Sequence, residues 1–177
     1  WRLTGRAGVC LSTLGPGALK LTTGLAFAAL GGMPVVAVTA QSGIRENWKR
    51  EFQRVDVVSH FRPFVKWNAR IENPDDAAYL TRRAFAVAEA QRPGVTHLEF
   101  PEDVAAENAQ GAPLPRHEAR RPVAEEKALL QAADAIARAK HPLILVSHGA
   151  VRKRVVDALK TFVDATGIYV THTQMGK

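Results

Sequence analysis

Short apolar runs alternate with stretches of helical periodicity along this chain, a rhythm that predicts βα units around a parallel sheet. Residues 9–13 read as a short strand that ends at Gly15-Pro16-Gly17, and residues 18–30, rich in Ala and Leu, as a helix. Residues 34–39 (Pro-Val-Val-Ala-Val-Thr) have the unbroken apolar character of a strand buried on both faces. The polar, Gly-containing stretch 41–47 reads as a loop, followed by a short amphipathic segment to residue 58. Residues 64–67 read as another strand. Asn73-Pro74-Asp75 is a helix start, and Arg92-Pro93-Gly94 should stop that helix after residue 91. Residues 95–100 are then a strand.

The character changes at residues 101–122, which hold four prolines and many charges without apolar periodicity. Such a stretch predicts a semi-stiff interdomain linker, with its core at 105–122. The βα rhythm then resumes as helix 124–139, strand 142–146, a turn at Ser147-His148-Gly149, helix 151–166 and strand 168–171. The expected fold class is therefore α/β, made of doubly wound parallel-sheet units in two parts, 1–104 and 123–177. Each part has fewer strands than a doubly wound sheet needs to bury both faces, so the chain reads as an excerpt of a longer polypeptide.

Composition narrows the function classes. The 177 residues are 46% hydrophobic and 23% charged, as in a globular protein. No apolar run approaches the ~20 residues needed to span a bilayer. One cysteine, Cys10, excludes an internal disulfide framework and fits a reducing compartment, so cytoplasm is the expected location. The net charge of +7 invites a nucleic-acid reading. Its basic groups, Arg82-Arg83, 116–121 and 152–154, come without any nucleic-acid-binding motif, and aromatic residues make up only 7%. No nucleic-acid or membrane partner is expected. The six histidines form no close pair and have no cysteine cluster beside them, so no zinc site is expected. Cys10, within an apolar strand, reads as an inert thiol.

The candidate chemistry begins at Gly15-Pro16-Gly17, between a strand and a helix, where glycines let backbone come close to a partner. A tight βα turn without a ligand fits the same residues, and no Gly-Lys-Ser/Thr follows to make a phosphate loop. The run 4–18 (Thr-Gly-Arg-Ala-Gly-Val-Cys-Leu-Ser-Thr-Leu-Gly-Pro-Gly-Ala) resembles the acetolactate synthase large subunit, a family of thiamine-diphosphate enzymes. The match continues at family spacing through Gly32 to Thr39, Gln41, Glu51-Phe52-Gln53, 65–68, Arg92 to Val95, Leu98-Glu99 and Pro101 to Val104.

The resemblance implies that 1–104 is the end of a pyrimidine-binding domain and that a middle domain begins near residue 123. It implies that Gly15, Pro16, Gly17 and Gln53 lie at the thiamine-diphosphate site, with Phe52 and Lys66 on the substrate channel. A core Phe52 beside a solvated Gln53, and a plain surface Lys66, are the readings without the family. Arg92 matches an arginine that contacts FAD in flavin-containing members, and alternatively reads as a basic residue at a helix C-terminus. Ser147-His148-Gly149 stands where those members carry a glycine-rich turn, which argues against FAD.

Further departures are Leu19-Lys20 for Thr-Asn, Phe27 for an aspartate, and Ala40 for the glycine of Thr-Gly-Gln. The family's catalytic glutamate would precede the first residue and its magnesium–diphosphate segment would follow the last. No catalytic residue and no metal ligand is therefore expected on this chain. The implied activity is condensation of two pyruvates to 2-acetolactate with loss of CO2, in a homodimer or homotetramer. Another thiamine-diphosphate carboligase or decarboxylase, such as a sulfoacetaldehyde acetyltransferase, and a non-catalytic interaction fragment are the alternatives.

Overall fold

The computed structural model describes residues 1, 4–45, 52–116 and 122–177. The chain divides into two compact units, Leu3–Ala119 and Arg120–Lys177. Glu51, His117, part of the amphipathic segment before residue 58 and most of the 116–121 basic group lie outside the described residues.

In the first unit, β1 (Gly8–Ser12), β2 (Val35–Gln41), β3 (Trp67–Arg70) and β4 (Val95–Pro101) form one sheet in the order β1-β2-β4-β3. Every pairing is parallel. Side chains alternate across the sheet, so β2 and β4 feed two cores. On one face Ala37 and Val95 pack with Ala18, Leu25, Ala28, Val57 and Phe61. On the other, Val36 and Leu98 pack with Ile44, Ile71, Ala84, Ala88 and Val104. The first face is covered by α1 (Pro16–Leu19), α2 (Thr22–Leu30) and α3 (Val57–Phe61), the second by α4 (Ala77–Glu89) and α5 (Glu102–Ala105).

The expected helix 18–30 is two helices, because the chain turns at Lys20-Leu21. The expected strand 64–67 is displaced to β3. Phe64 and Val65 instead donate their backbone N–H groups to the Phe61 carbonyl and close a turn after α3. The helix after Asn73 begins as a 3-10 turn whose Asp75 N–H is capped by the Asn73 side chain at 3.0 Å. It stops at Glu89, two residues early, and Arg92 takes a left-handed φ of 53°. Thr96, fully buried, donates to the Ala84 carbonyl at 3.1 Å and fastens α4 to the sheet.

The stretch read as a linker is partly built into the first unit. Its single-turn helix α5 buries Val104, one side chain being too few to show a period. Residues 109–116 run back along α4, joined by the Gln110 N–H to Asp75 (2.6 Å) and by Arg116 to both carboxylate oxygens of Glu89.

The second unit holds α6 (Glu126–Arg138), β5 (Leu143–Val146), α7 (Lys153–Thr166) and β6 (Tyr169–His172), with β5 and β6 parallel. The turn after β5 is a 3-10 turn at His148–Ala150. Gly167 ends α7 in the left-handed region, its N–H bonded to the Val163 carbonyl. Leu129, Leu130, Leu143, Leu145 and Tyr169 are exposed.

Candidate functional site

Parallel strands end on one side of the sheet, and open α/β sheets bind ligands at that carboxyl edge. In the first unit the Gly15-Pro16-Gly17 turn follows β1 there. Gln53 is brought beside it across 38 residues of sequence. A Cβ built on Gly15 would sit 2.1 Å from the Gln53 carbonyl oxygen. Gly15 also has φ 53° and ψ −122°, a backbone shape that side chains oppose. Gln53 itself is left-handed, with φ 65°. The partner that Gly15 lets approach is thus the backbone of Gln53. Gly15→Ala is expected to destabilise the first unit by about 2 kcal/mol, through strain and through displacement of Gln53. A thermal melt unchanged to within a degree would refute that.

Helix α1 has only four residues, too few for the anion-attracting N-terminus that an unbroken 18–30 helix would have provided. Pro16 and Gln53 are exposed at this edge, and the Phe52 ring is 91% exposed.

Beneath the turn lies a polar layer. On the α2–α3 face, β4 runs Val95, His97, Glu99 and β2 runs Val35, Ala37, Thr39, Gln41, so both strands change from apolar to polar toward the carboxyl edge. Gln41 is fully satisfied. Its amide nitrogen donates to the Val55 carbonyl (2.8 Å) and to Glu99 (3.0 Å), while its oxygen accepts from the backbone N–H and hydroxyl of Ser42. Glu99 is completely buried, and its second oxygen is ion-paired with Arg70. Val55 lies two residues after Gln53, so Arg70, Glu99 and Gln41 anchor the segment that carries it. Next to this layer, Thr39 bonds one ring nitrogen of His97 at 2.9 Å, and the ring stands edge-on to Phe61 with centroids 4.8 Å apart. Burial pushes the His97 imidazole down to about 4. Asp103, from α5, accepts the N–H groups of Ile44 (2.7 Å) and Arg45 (2.9 Å) and holds the loop after β2.

The other two candidates lie at the opposite edge. Lys66 precedes β3, and its backbone N–H bonds the Val95 carbonyl at 2.7 Å, where β4 begins. Its side chain passes Gly94 and its ammonium donates to the Val87 carbonyl of α4 at 2.5 Å, with burial lowering the lysine's pKa. Arg92 is exposed in the turn between α4 and β4. The structure therefore unites Gly15, Pro16, Gly17, Phe52 and Gln53 and leaves Lys66 and Arg92 apart from them. Sequence reasoning assigned no role to Gln41, Arg70, Glu99 or His97. The available signal was polar residues inside otherwise apolar strands, which burial obliges to find partners.

Among the described residues, no group of three His, Cys, Asp or Glu side chains is placed to hold a metal. The Cys10 thiol is half-buried and pushed up by burial.

Residues 1–60 match the family model of the thiamine pyrophosphate enzyme N-terminal TPP binding domain, and residues 129–177 match that of the central domain of the same enzymes. The chain belongs to the thiamine pyrophosphate enzymes. Its TPP-binding-domain match includes Gly15, Pro16, Gly17, Phe52 and Gln53 and ends before Lys66 and Arg92. It is 32% identical to the acetolactate synthase large subunit of Parasynechococcus marenigrum, over 99% of this chain and 30% of that protein. Identity to the acetolactate synthase of Mycobacterium bovis is 34%, over 99% and 29%. The large subunit from Corynebacterium glutamicum shares 35%, over 98% and 28%. This thiamine pyrophosphate enzyme chain thus spans about 30% of the length of these curated relatives. It is an acetolactate synthase-like segment.

Proposed function

We propose that the chain serves an acetolactate synthase that condenses two pyruvates to 2-acetolactate with release of CO2. The observation that carries this reading is the seating of Gln53 on Gly15 at the carboxyl edge, inside the stretch that matches the TPP binding domain. The fit to thiamine diphosphate rests on two features. The Gln53 amide is exposed with no hydrogen-bond partner among the described residues, while its carbonyl lies against Gly15 and Gln41 holds the Val55 carbonyl two residues on. The Gly15–Gly17 backbone and Gln53 would hold the cofactor, and the exposed Phe52 ring would wall the approach of the 2-oxo acid.

Bound thiamine diphosphate supplies the nucleophilic carbon and the electron sink for decarboxylation. The chain's own part is positioning, through the buried Glu99–Gln41 layer that holds the Val55 carbonyl of the segment carrying Gln53. Magnesium would be held by residues outside this chain. FAD is not part of this reading. Side chains stand at Ser147 and His148, where a close backbone approach to a pyrophosphate favours glycine. No described helix is long and apolar enough to cross a membrane. Cytoplasmic location belongs to the same proposal, as does assembly with a second copy through the exposed Val9, Leu11, Phe27 and Leu30.

The test is turnover by the full-length protein with thiamine diphosphate, magnesium and pyruvate. 2-Acetolactate is the expected product, and Gln53→Ala is expected to weaken cofactor binding about tenfold, the loss of one well-placed hydrogen bond. No acetolactate, with products from another acceptor or from simple decarboxylation, would replace this reading by another carboligase or a decarboxylase.

A further inference from the structure

A cavity of about 670 Å³ lies in the first unit between α4 and residues 109–116. Its floor is one stripe of α4, on which Ala78, Arg82, Phe85 and Glu89 recur at helical spacing. Its roof is Pro113-Leu114-Pro115. The roof is fastened at both ends, by Gln110 to Asp75 near the start of the helix and by Arg116 to Glu89 at its end. Glu89 also accepts the Ala7 N–H at 3.1 Å and ties in the chain just before β1. Proline rings clamped at both ends span a hollow that apolar neighbours would otherwise collapse to fill.

The cations of the lining are unequally used. Arg116 is paired with Glu89. Arg83, the helix neighbour that lies outside the cavity, sits over the Trp67 ring at 5.3 Å. Arg82 and Arg6 both line the cavity, and neither guanidinium has a hydrogen-bond or ion-pair partner among the described residues. Arg82 is also partly buried, where an unanswered charge is costly. Of the two acids in the lining, Glu89 is committed to Arg116 and Ala7, and Asp75 takes the Gln110 N–H.

We propose that this cavity binds a small organic anion, with its carboxylate or phosphate on Arg82 and Arg6 and an apolar or aromatic body between Phe85 and the Pro113–Pro115 roof. The volume suits such a molecule, since ligand pockets run to roughly 300–1,000 Å³. A planar guanidinium fork matches either oxyanion. The site shares no residue with the Gly15–Gln53 edge and is independent of the thiamine-diphosphate reading.

The test titrates the full-length protein with 4-phenylbutyrate, 4-phenylbutanol and inorganic phosphate, by calorimetry and by chemical shifts at Phe85 and Leu114. The carboxylate is expected to saturate one site that shifts both residues, with the alcohol and bare phosphate each at least about tenfold weaker. Phenyl phosphate in place of the carboxylate shows which headgroup the site prefers. Arg82→Gln should weaken the carboxylate about tenfold, and Arg82→Lys should recover part of that. Ala78→Phe, which fills the cavity from the exposed side of α4, should abolish binding with an unchanged melting temperature. Equal affinity for acid and alcohol, or an Arg82→Gln variant that binds like the parent, would overturn the proposal. So would a structure of the full-length protein in which another part of the chain occupies the cavity.

Discussion

Arg70→Ala is expected to destabilise the first unit by about 3 kcal/mol, the low end of the cost of stranding a buried charge. Glu99 has no exposed surface, and Arg70, whose side chain is 28% exposed, is the cation paired with it. Removing the guanidinium leaves the carboxylate with the Gln41 amide, a single neutral donor, at 3.0 Å. The Arg70→Ala/Glu99→Leu double variant should regain more than half of the loss, since a buried ion pair replaced by apolar groups is often close to neutral. Urea unfolding followed through the backbone amides of β4 reads this directly. A loss below about 1 kcal/mol would show that water reaches Glu99 and that the pair behaves as a surface one.

The βα alternation of the fold was legible because its strands read as apolar runs, most plainly where a strand is buried on both faces. The runs at 34–39 and 95–100 became the two central strands, β2 and β4. β3 was misplaced by three residues for the same reason. Its Asn68 and Arg70 are polar, whereas Phe64 and Val65, more apolar than they are, close the turn after α3 and pack on its core. The split of helix 18–30 had no such signal, since Lys20 and Leu21 are both good helix formers. At the site, Gly15-Pro16-Gly17 and Gln53 were legible as family motifs. Their mutual contact was not, because it depends on a left-handed Gln53 that the sequence does not announce. The polar layer was hidden because its members come from three strands. Gln41, Arg70 and Glu99 meet only through the register that sets Arg70 opposite Glu99 and Thr39 opposite the same residue.

His97→Gln is expected to flatten the acid limb of the stability curve. In the folded protein burial pushes the imidazole down to about 4 from 6.5. The unfolded chain binds this proton more readily in that interval, so stability is complete above pH 6.5 and falls as pH drops toward 4. The total is roughly 3 kcal/mol, at 1.36 kcal/mol per pH unit of displacement. Below pH 4 the folded protein also takes up the proton and the contribution levels off. The groups that face the ring explain the direction. Thr39 offers a neutral hydroxyl to one nitrogen, Phe61 packs its ring edge-on at 4.8 Å, and the other nitrogen is buried without a partner among the described residues. Glu99, the next residue on the same face of β4, is committed to Arg70 and Gln41. Glutamine can keep a bond to Thr39 and carries no charge at any pH. The variant therefore starts less stable, through lost packing on Phe61, but loses less on acidification. The decisive reading is the difference in slope between parent and variant from pH 6.5 to 4, which cancels the carboxylates common to both. Parallel slopes would mean that His97 is protonated as easily in the folded protein as in the unfolded one. The Thr39–His97 pair would then be open to water, contrary to its burial here.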